Sequence, residues 1–123
     1  LPSAARCYKL GKALGRAIES WPHDVRVVVV GTGGLSHQLD GERAGFMNKE
    51  YDLFCLDNIA RNPDALTQHS IPDIVLLAGT QGVEILNWIA ARGALGPQGH
   101  EIHRNYHVPI SNTAAATLLL EPG

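Results

Sequence analysis

The sequence of 123 residues has little of several features that mark particular classes of protein. Its two cysteines, Cys7 and Cys55, are too few to staple a secreted mini-protein, and they lack the CxxC spacing of zinc and redox sites. We therefore expect two reduced thiols in a cytoplasmic protein. The longest apolar runs, residues 27–30 and 74–78, are far too short to cross a bilayer, so no membrane partner is expected.

An excess of positive charge is also missing. Ten lysines and arginines stand against twelve aspartates and glutamates, and the formal net charge is −2. A nucleic acid needs a basic face, so we expect no nucleic-acid partner. With 45% hydrophobic residues, the chain is too apolar for disorder and can form one modest core. It begins with Leu1 and no signal-peptide pattern follows, which indicates a processed chain or a part of a longer one.

The pattern of apolar residues predicts one α/β domain over residues 1–123, with a mixed sheet flanked by helices. Apolar side chains at three- and four-residue spacing predict an amphipathic helix from Ser3 to the stop at Trp21 and Pro22. Residues 25–30 are valines apart from Arg26, which predicts a buried strand with both faces covered.

Three more helices and a second strand are predicted further along the chain. The helices are expected over residues 48–61, 74–78 and 83–92, and the strand over residues 102–110. Ser70 and Asp73 form a capping-box pattern before the helix at 74–78, and Gly93 lies where a C-terminal glycine cap is expected. Residues 113–120 fit a strand or a helix equally well.

Residues 31–41 contain four glycines and form a loop whose backbone can approach a ligand closely. The loop follows the predicted strand, as a dinucleotide loop would. A GxGxxG match, however, needs a glycine in place of Ser36, and residues 35–45 do not look like the start of a helix. Nucleotide binding is therefore a weak alternative.

His37 lies in this loop, at the place where open α/β sheets carry their sites. An imidazole suits a general base at neutral pH. The alternative is a half-exposed histidine that is hydrogen-bonded to Asp40, and residue type and position do not decide between the two. A Ser36–His37 nucleophile pair is disfavoured, because neighbours in an extended segment point in opposite directions and no G-x-S-x-G motif is present.

Glu84 lies in the first turns of a predicted helix, where the macrodipole favours an ionised carboxylate that can serve as a hard metal ligand. By residue type alone, a helical glutamate is more often a surface residue. His100, His103 and His107 suggest a metal cluster at first sight. In a strand, however, the last two lie roughly 13 Å apart, so we expect scattered polar histidines.

Three blocks of the sequence carry a resemblance to a known family. They are VVVGTGGLSHQLDGERAGF at 28–46, LAGTQGVEILNW at 77–88, and residues 101–103 together with 112–115. These blocks closely resemble the β chains of protocatechuate 4,5-dioxygenases, which are LigB-type extradiol catechol dioxygenases. The resemblance extends from about Ser3 to Glu121.

The resemblance implies a non-haem Fe(II) enzyme that opens a catechol ring beside the diol and inserts both atoms of O₂. The family holds iron with two histidines and one carboxylate. By motif position, Glu84 corresponds to the carboxylate ligand and His37 to an acid/base that deprotonates a catechol hydroxyl. Ser111 and Asn112 correspond to contacts that the family makes with the substrate, at its ring carboxylate.

The iron-binding histidines of the family come from a region ahead of the one matched here. The resemblance therefore implies the C-terminal part of a catalytic domain, with two of the three Fe(II) ligands upstream and the opening helix and strand exposing apolar faces. Protocatechuate is the expected substrate. Gallate, another catechol, or a non-catalytic binding module of the same fold stay open. Members of the family often work with a small α subunit.

Overall fold

Four α-helices and one antiparallel hairpin make up the chain, and the computed structural model describes all of residues 1–123. The α-helices are α1 (Ala4–Ser20), α2 (Lys49–Arg61), α3 (Ile71–Ala78) and α4 (Ile85–Leu95). Two 3-10 helices, Pro63–Gln68 and Gln81–Glu84, precede α3 and α4, and the strands are β1 (Gly99–His107) and β2 (Ala115–Pro122). The α/β class is confirmed, but the sheet has two antiparallel strands and is not mixed.

Local signals in the sequence set most of the helix starts. The Ser3 hydroxyl accepts a hydrogen bond from the backbone N–H of Arg6 at the start of α1. At the start of α3, Ser70 and Asp73 each accept a bond from the other's backbone N–H, so the predicted capping box is confirmed. Each bond satisfies an N–H group that has no partner within its own helix.

Helices α1 and α4 pack closely because glycines lie where they cross. A Cβ atom on Gly11 would overlap the carbonyl of Ala90, and one on Gly93 would overlap the carbonyl of Tyr8. The prediction that Gly93 caps α4 is wrong. The helix continues to Leu95 and is capped by Gly96 at φ 111°, because Gly93 serves the contact with α1.

The core lies between α2, α3 and α4, with α1 packed against α4 and the hairpin against α2. Its most buried large apolar side chains come from the glycine-rich loop, the 3-10 helix after α2 and the three core helices: Leu35, Leu56, Leu66, Ile74, Ile85 and Ile89. Cys7 and Cys55 are free and buried, and burial raises the pKa of the Cys55 thiol to about 12.

The prediction of a buried strand at residues 25–30 is wrong in this chain. The segment forms no regular secondary structure and pairs with no strand, and Val28 and Val30 are 74% and 71% exposed. A valine run is buried only when neighbouring strands and helices cover it, and the chain offers no strand beside it. The expected apolar exposure is found here and on α1, where Leu10 and Leu14 are exposed. With Val29, Val30 and α4, these leucines line an open groove of about 360 Å³.

Residues 113–120, which the sequence left undecided, fall mostly in β2. This strand pairs with β1 from Gly99 opposite Pro122 to His107 opposite Ala115, with an irregularity between Glu101 and His103. Strand β1 begins three residues before its predicted start and ends at His107. No single helix is long and apolar enough to cross a membrane. Only Ile71–Ala78 and Gln81–Leu95 taken together have the length and composition of a membrane span, and a bend of 118° separates the two.

Candidate active site

Two loops lie side by side at one end of the core. The first is the glycine-rich loop at 31–41. The second is the loop at 79–84, which joins α3 to α4 and includes the 3-10 helix Gln81–Glu84. The His37 N–H donates to the Ala78 carbonyl at 2.8 Å. Two glutamine side chains tie the loops together further along. The Thr80 N–H donates to Gln38 Oε1 at 3.2 Å, and the Leu39 N–H donates to Gln81 Oε1 at 3.0 Å.

Glycines allow these loops to touch. Gly79 has φ 87°, and a Cβ there would overlap the carbonyl of His37. Gly33 has φ 110°, and a Cβ there would lie 2.7 Å from the Cβ of Glu84. Any side chain at either position would push the loops apart as well as strain the backbone. The two loops are therefore in direct contact beside His37 and beside Glu84.

The structure brings His37 and Glu84 together. Nε2 of His37 lies 3.3 Å from Oε1 of Glu84. His37 is buried, whereas the Glu84 side chain is 41% exposed, so the pair opens to solvent on the glutamate side. The half-exposed histidine bonded to Asp40, which the sequence left as an alternative, is not what the structure contains.

The other ring nitrogen of His37 fixes the tautomer. Nδ1 lies 2.8 Å from the carbonyl oxygen of Leu35. Because a carbonyl oxygen only accepts, Nδ1 carries a hydrogen, and the neutral ring has its lone pair on Nε2. That lone pair faces a carboxylate oxygen, and a hydrogen bond between the two atoms requires a proton on Nε2. The arrangement therefore suits an imidazole that takes and returns a proton at Nε2.

Glu84 fits one ligand of a metal site, since it presents carboxylate oxygens at an exposed rim. The rest of such a site is not in this chain. No group of three or more His, Cys, Asp or Glu side chains lies close enough together to hold a metal ion. His100, His103 and His107 lie along β1 and form no hydrogen bond or ion pair with His37 or Glu84. The residues present therefore do not form a two-histidine, one-carboxylate iron site by themselves.

Ser111 and Asn112 lie in the exposed turn between β1 and β2. Asn112 has φ 58°, and its N–H donates to the Pro109 carbonyl at 3.1 Å. Neither side chain forms a hydrogen bond with His37 or Glu84. The turn nevertheless reaches the glycine-rich loop, because Ala114 accepts from the Leu35 N–H at 2.9 Å and donates to the Ser36 carbonyl at 3.2 Å.

Comparison with known proteins identifies the family. Residues 1–116 match the family described as the catalytic LigB subunit of aromatic ring-opening dioxygenase. The chain belongs to the LigB family. The LigB type of the resemblance is thus confirmed, whereas protocatechuate 4,5-dioxygenases are not singled out within the family.

Two relatives of this LigB-family chain are informative. A gallate dioxygenase of Pseudomonas putida is 47% identical over 121 residues, which cover 98% of the chain and 35% of that protein. A 2,3-dihydroxyphenylpropionate/2,3-dihydroxicinnamic acid 1,2-dioxygenase of Xanthobacter autotrophicus is 27% identical over 156 residues, covering 89% of the chain and 49% of that protein. The chain spans about a third of the first relative and about half of the second.

One polar cluster of this LigB-family chain, centred on Asp52, was not predicted from the sequence. This carboxylate is 1% exposed. Its Oδ1 accepts from the Ser36 N–H at 2.9 Å, and its Oδ2 accepts from the Ser36 hydroxyl at 2.6 Å and from the Tyr106 hydroxyl at 2.7 Å. Burial and the hydrogen bond to Asp52 raise the pKa of Tyr106. The Ser36 side chain therefore serves Asp52 and is not a partner of the His37 ring.

A signal for this cluster was present in the sequence. Asp52 precedes Cys55, Leu56 and Ile59 by three, four and seven residues, so it lies on the apolar face of α2. A charged residue on the buried face of a helix is rare unless it has partners. The periodicity could have singled out Asp52, but it could not have named Ser36 and Tyr106 as the partners.

Proposed function

We propose that this chain is the C-terminal part of the catalytic domain of an Fe(II)-dependent extradiol dioxygenase. Such an enzyme opens a catechol ring beside the diol with O₂. The observation that supports this best is the approach of His37 Nε2 to Glu84 Oε1 at 3.3 Å, on two loops of a LigB-family chain. The pair unites a proton-transferring group and a carboxylate ligand at one rim.

Glu84 is proposed as the carboxylate ligand of the iron, with both histidine ligands supplied from outside residues 1–123. When bound, the iron supplies Lewis acidity toward the diol oxygens and a place for O₂. Its half-exposed side chain leaves Glu84 free to face a ligand that lies beyond the chain's own surface.

His37 is proposed as the acid/base. Its Nδ1 hydrogen is committed to the Leu35 carbonyl, so only Nε2 can accept a proton from a catechol hydroxyl. The ring is buried and fixed by this bond, and it therefore needs no rearrangement before it accepts the proton. After ring opening, the same nitrogen can return the proton.

The proposed substrate is protocatechuate, with gallate as the second candidate because the relative at 47% identity is a gallate dioxygenase. The two molecules share a ring carboxylate and adjacent hydroxyls and differ by one hydroxyl. Ser111 and Asn112 are proposed to donate hydrogen bonds to the carboxylate. Their turn is exposed and tied through Ala114 to the loop of His37, so a ring held there would lie near the imidazole.

The complete protein that contains this chain tests the proposal. It would be loaded with Fe(II) without oxygen and assayed for O₂ uptake with protocatechuate, gallate and unsubstituted catechol. We expect stoichiometric iron, ring opening, and a clear preference for a substrate with a ring carboxylate. The larger kcat/KM decides between protocatechuate and gallate. A protein that binds these catechols but holds no iron and consumes no O₂ would be a binding module of the LigB fold.

A further inference from the structure

We propose that Asp52 is a positioning residue that fixes the tautomer and orientation of His37. The inference rests on the proposed acid/base role of His37. Asp52 does not touch the His37 ring, and it acts through Ser36, the residue between Leu35 and His37. Its carboxylate receives both donors of Ser36, the backbone N–H at 2.9 Å and the hydroxyl at 2.6 Å.

The setting of Asp52 is unusual for a residue that serves stability alone. The carboxylate is 1% exposed, and none of the ion pairs of the chain includes it. Its charge is met only by three hydrogen bonds and by the N-terminal turn of α2. An apolar side chain on this buried face would avoid the desolvation of a charge, and removing a partner from such a carboxylate is costly. A local function accounts better for its presence.

The hydrogen bonds around Ser36 show how Asp52 reaches the imidazole. The Ser36 hydroxyl donates to Asp52 and accepts from the Asn48 N–H at 2.8 Å, which orients it fully. With Ser36 held on both its main chain and side chain, the preceding carbonyl of Leu35 is directed at His37 Nδ1. That bond keeps the hydrogen on Nδ1 and leaves Nε2 toward Glu84. Asp52 thereby determines which ring nitrogen of His37 is free to accept a proton.

Tyr106 connects the hydrogen bonds around Asp52 to the hairpin. Its hydroxyl donates to Asp52 Oδ2 at 2.7 Å from strand β1. Phenylalanine at this position keeps the ring and removes one of the three donors, whereas Asp52→Asn keeps the volume and the acceptor of the Ser36 N–H but removes Oδ2, the acceptor of both hydroxyls. An amide NH₂ would face two hydroxyl groups that now donate. The two variants therefore form a graded pair, with Asp52→Asn the more severe.

The direct test is the tautomer of the neutral His37 ring, measured by nitrogen-15 NMR of the histidines in the full chain. His37→Ala identifies the signal. In the neutral form of the ring, the wild type is expected to carry its hydrogen on Nδ1 alone. Asp52→Asn is expected to give a mixture of tautomers, and Tyr106→Phe a smaller shift in the same direction. Asp57→Asn is the matched control, because Asp57 lies on the same helix but is exposed and paired with Arg104. An unchanged His37 signal in both folded test variants would overturn the proposal.

A kinetic test on the complete iron-loaded enzyme separates this inference from the proposed function. For Tyr106→Phe and Asp52→Asn we expect kcat to fall by about 10- to 100-fold, with the larger fall in Asp52→Asn. KM and iron content should stay nearly unchanged. If Asp52→Asn does not fold, Tyr106→Phe carries the test. Loss of kcat with an unaltered His37 tautomer contradicts the positioning role. A wild-type enzyme that opens no catechol contradicts the proposed function, while the NMR result still decides how Asp52 acts on His37.

Discussion

At the scale of single residues, His37 differs from the other five histidines because both of its ring nitrogens have a partner. Nδ1 meets the Leu35 carbonyl, and Nε2 meets Glu84. The other five histidines can therefore be substituted without disturbing this pair. Comparing such a variant with a His37 variant isolates the acid/base function of His37.

We expect His37→Ala in the complete enzyme to lower kcat by about 10²- to 10⁴-fold, the usual contribution of a positioned acid/base. Iron content and substrate affinity should be retained, because the histidine is not a proposed ligand. Oxygen uptake, metal analysis and substrate titration measure the three quantities. His103→Ala, an exposed change on β1, should match the wild type. Unchanged turnover in His37→Ala would remove the histidine from the reaction.

Glu84 gives the complementary result. We expect Glu84→Ala to lose bound iron, because the only carboxylate proposed to bind iron is gone. Metal analysis after dialysis measures the occupancy. Glu50→Ala, which removes an exposed carboxylate from α2, should keep its iron. Full occupancy in Glu84→Ala would mean that another group completes the site.

At the scale of elements, sequence signals succeeded where the cause was local. Ser70 and Asp73 cap α3 through bonds that span three residues, so their pattern alone predicts them. Gly93 misled because its role is a contact with Tyr8, which lies on another helix. The family resemblance singled out His37 and Glu84, but their 3.3 Å approach depends on the packing of two loops that lie more than forty residues apart. The partners of Asp52, which are Ser36 and Tyr106, stayed hidden for the same reason.

The crossing of α1 and α4 gives a prediction at this scale. A glycine-to-alanine change inside a helix ordinarily stabilises it by about 0.5–1 kcal/mol. Gly11→Ala should instead destabilise the chain by about 1–3 kcal/mol, because the new methyl group overlaps the Ala90 carbonyl. Urea unfolding measures the free energy. Lys9→Ala, an exposed change on the same helix, should stay within about 0.5 kcal/mol of the wild type. A more stable Gly11→Ala would show that the helices separate freely.

At the scale of the whole molecule, the valine segment at 25–30 is the main departure from the predicted fold. Its unpaired backbone and exposed side chains form an open edge that other chains can pair with. Composition predicted burial, since a run of valines is typical of a covered strand. What composition could not show is whether another layer covers the run, and the only sheet of the chain, β1 with β2, does not include it.

We therefore expect the chain on its own to associate as its concentration rises. Val28→Lys, at a side chain that is 74% exposed, should reduce this association, because a lysine on an edge opposes pairing with another edge. Light scattering over a range of concentrations measures it. Gln68→Lys adds the same charge at an exposed polar position and should change little. Equal association of the two variants would rule out the valine edge as its cause.

The two hydrogen bonds between Ala114 and residues 35 and 36 have a consequence for kinetic discrimination. Ala114 follows the proposed substrate contact Asn112 by two residues, and Leu35 holds the imidazole of His37. Recognition of the ring substituent and proton transfer thus share one short stretch of backbone. A ring that is held poorly at Asn112 would disturb the imidazole as well as its own position. Unsuitable catechols would then be rejected through slow turnover and not through weak binding alone.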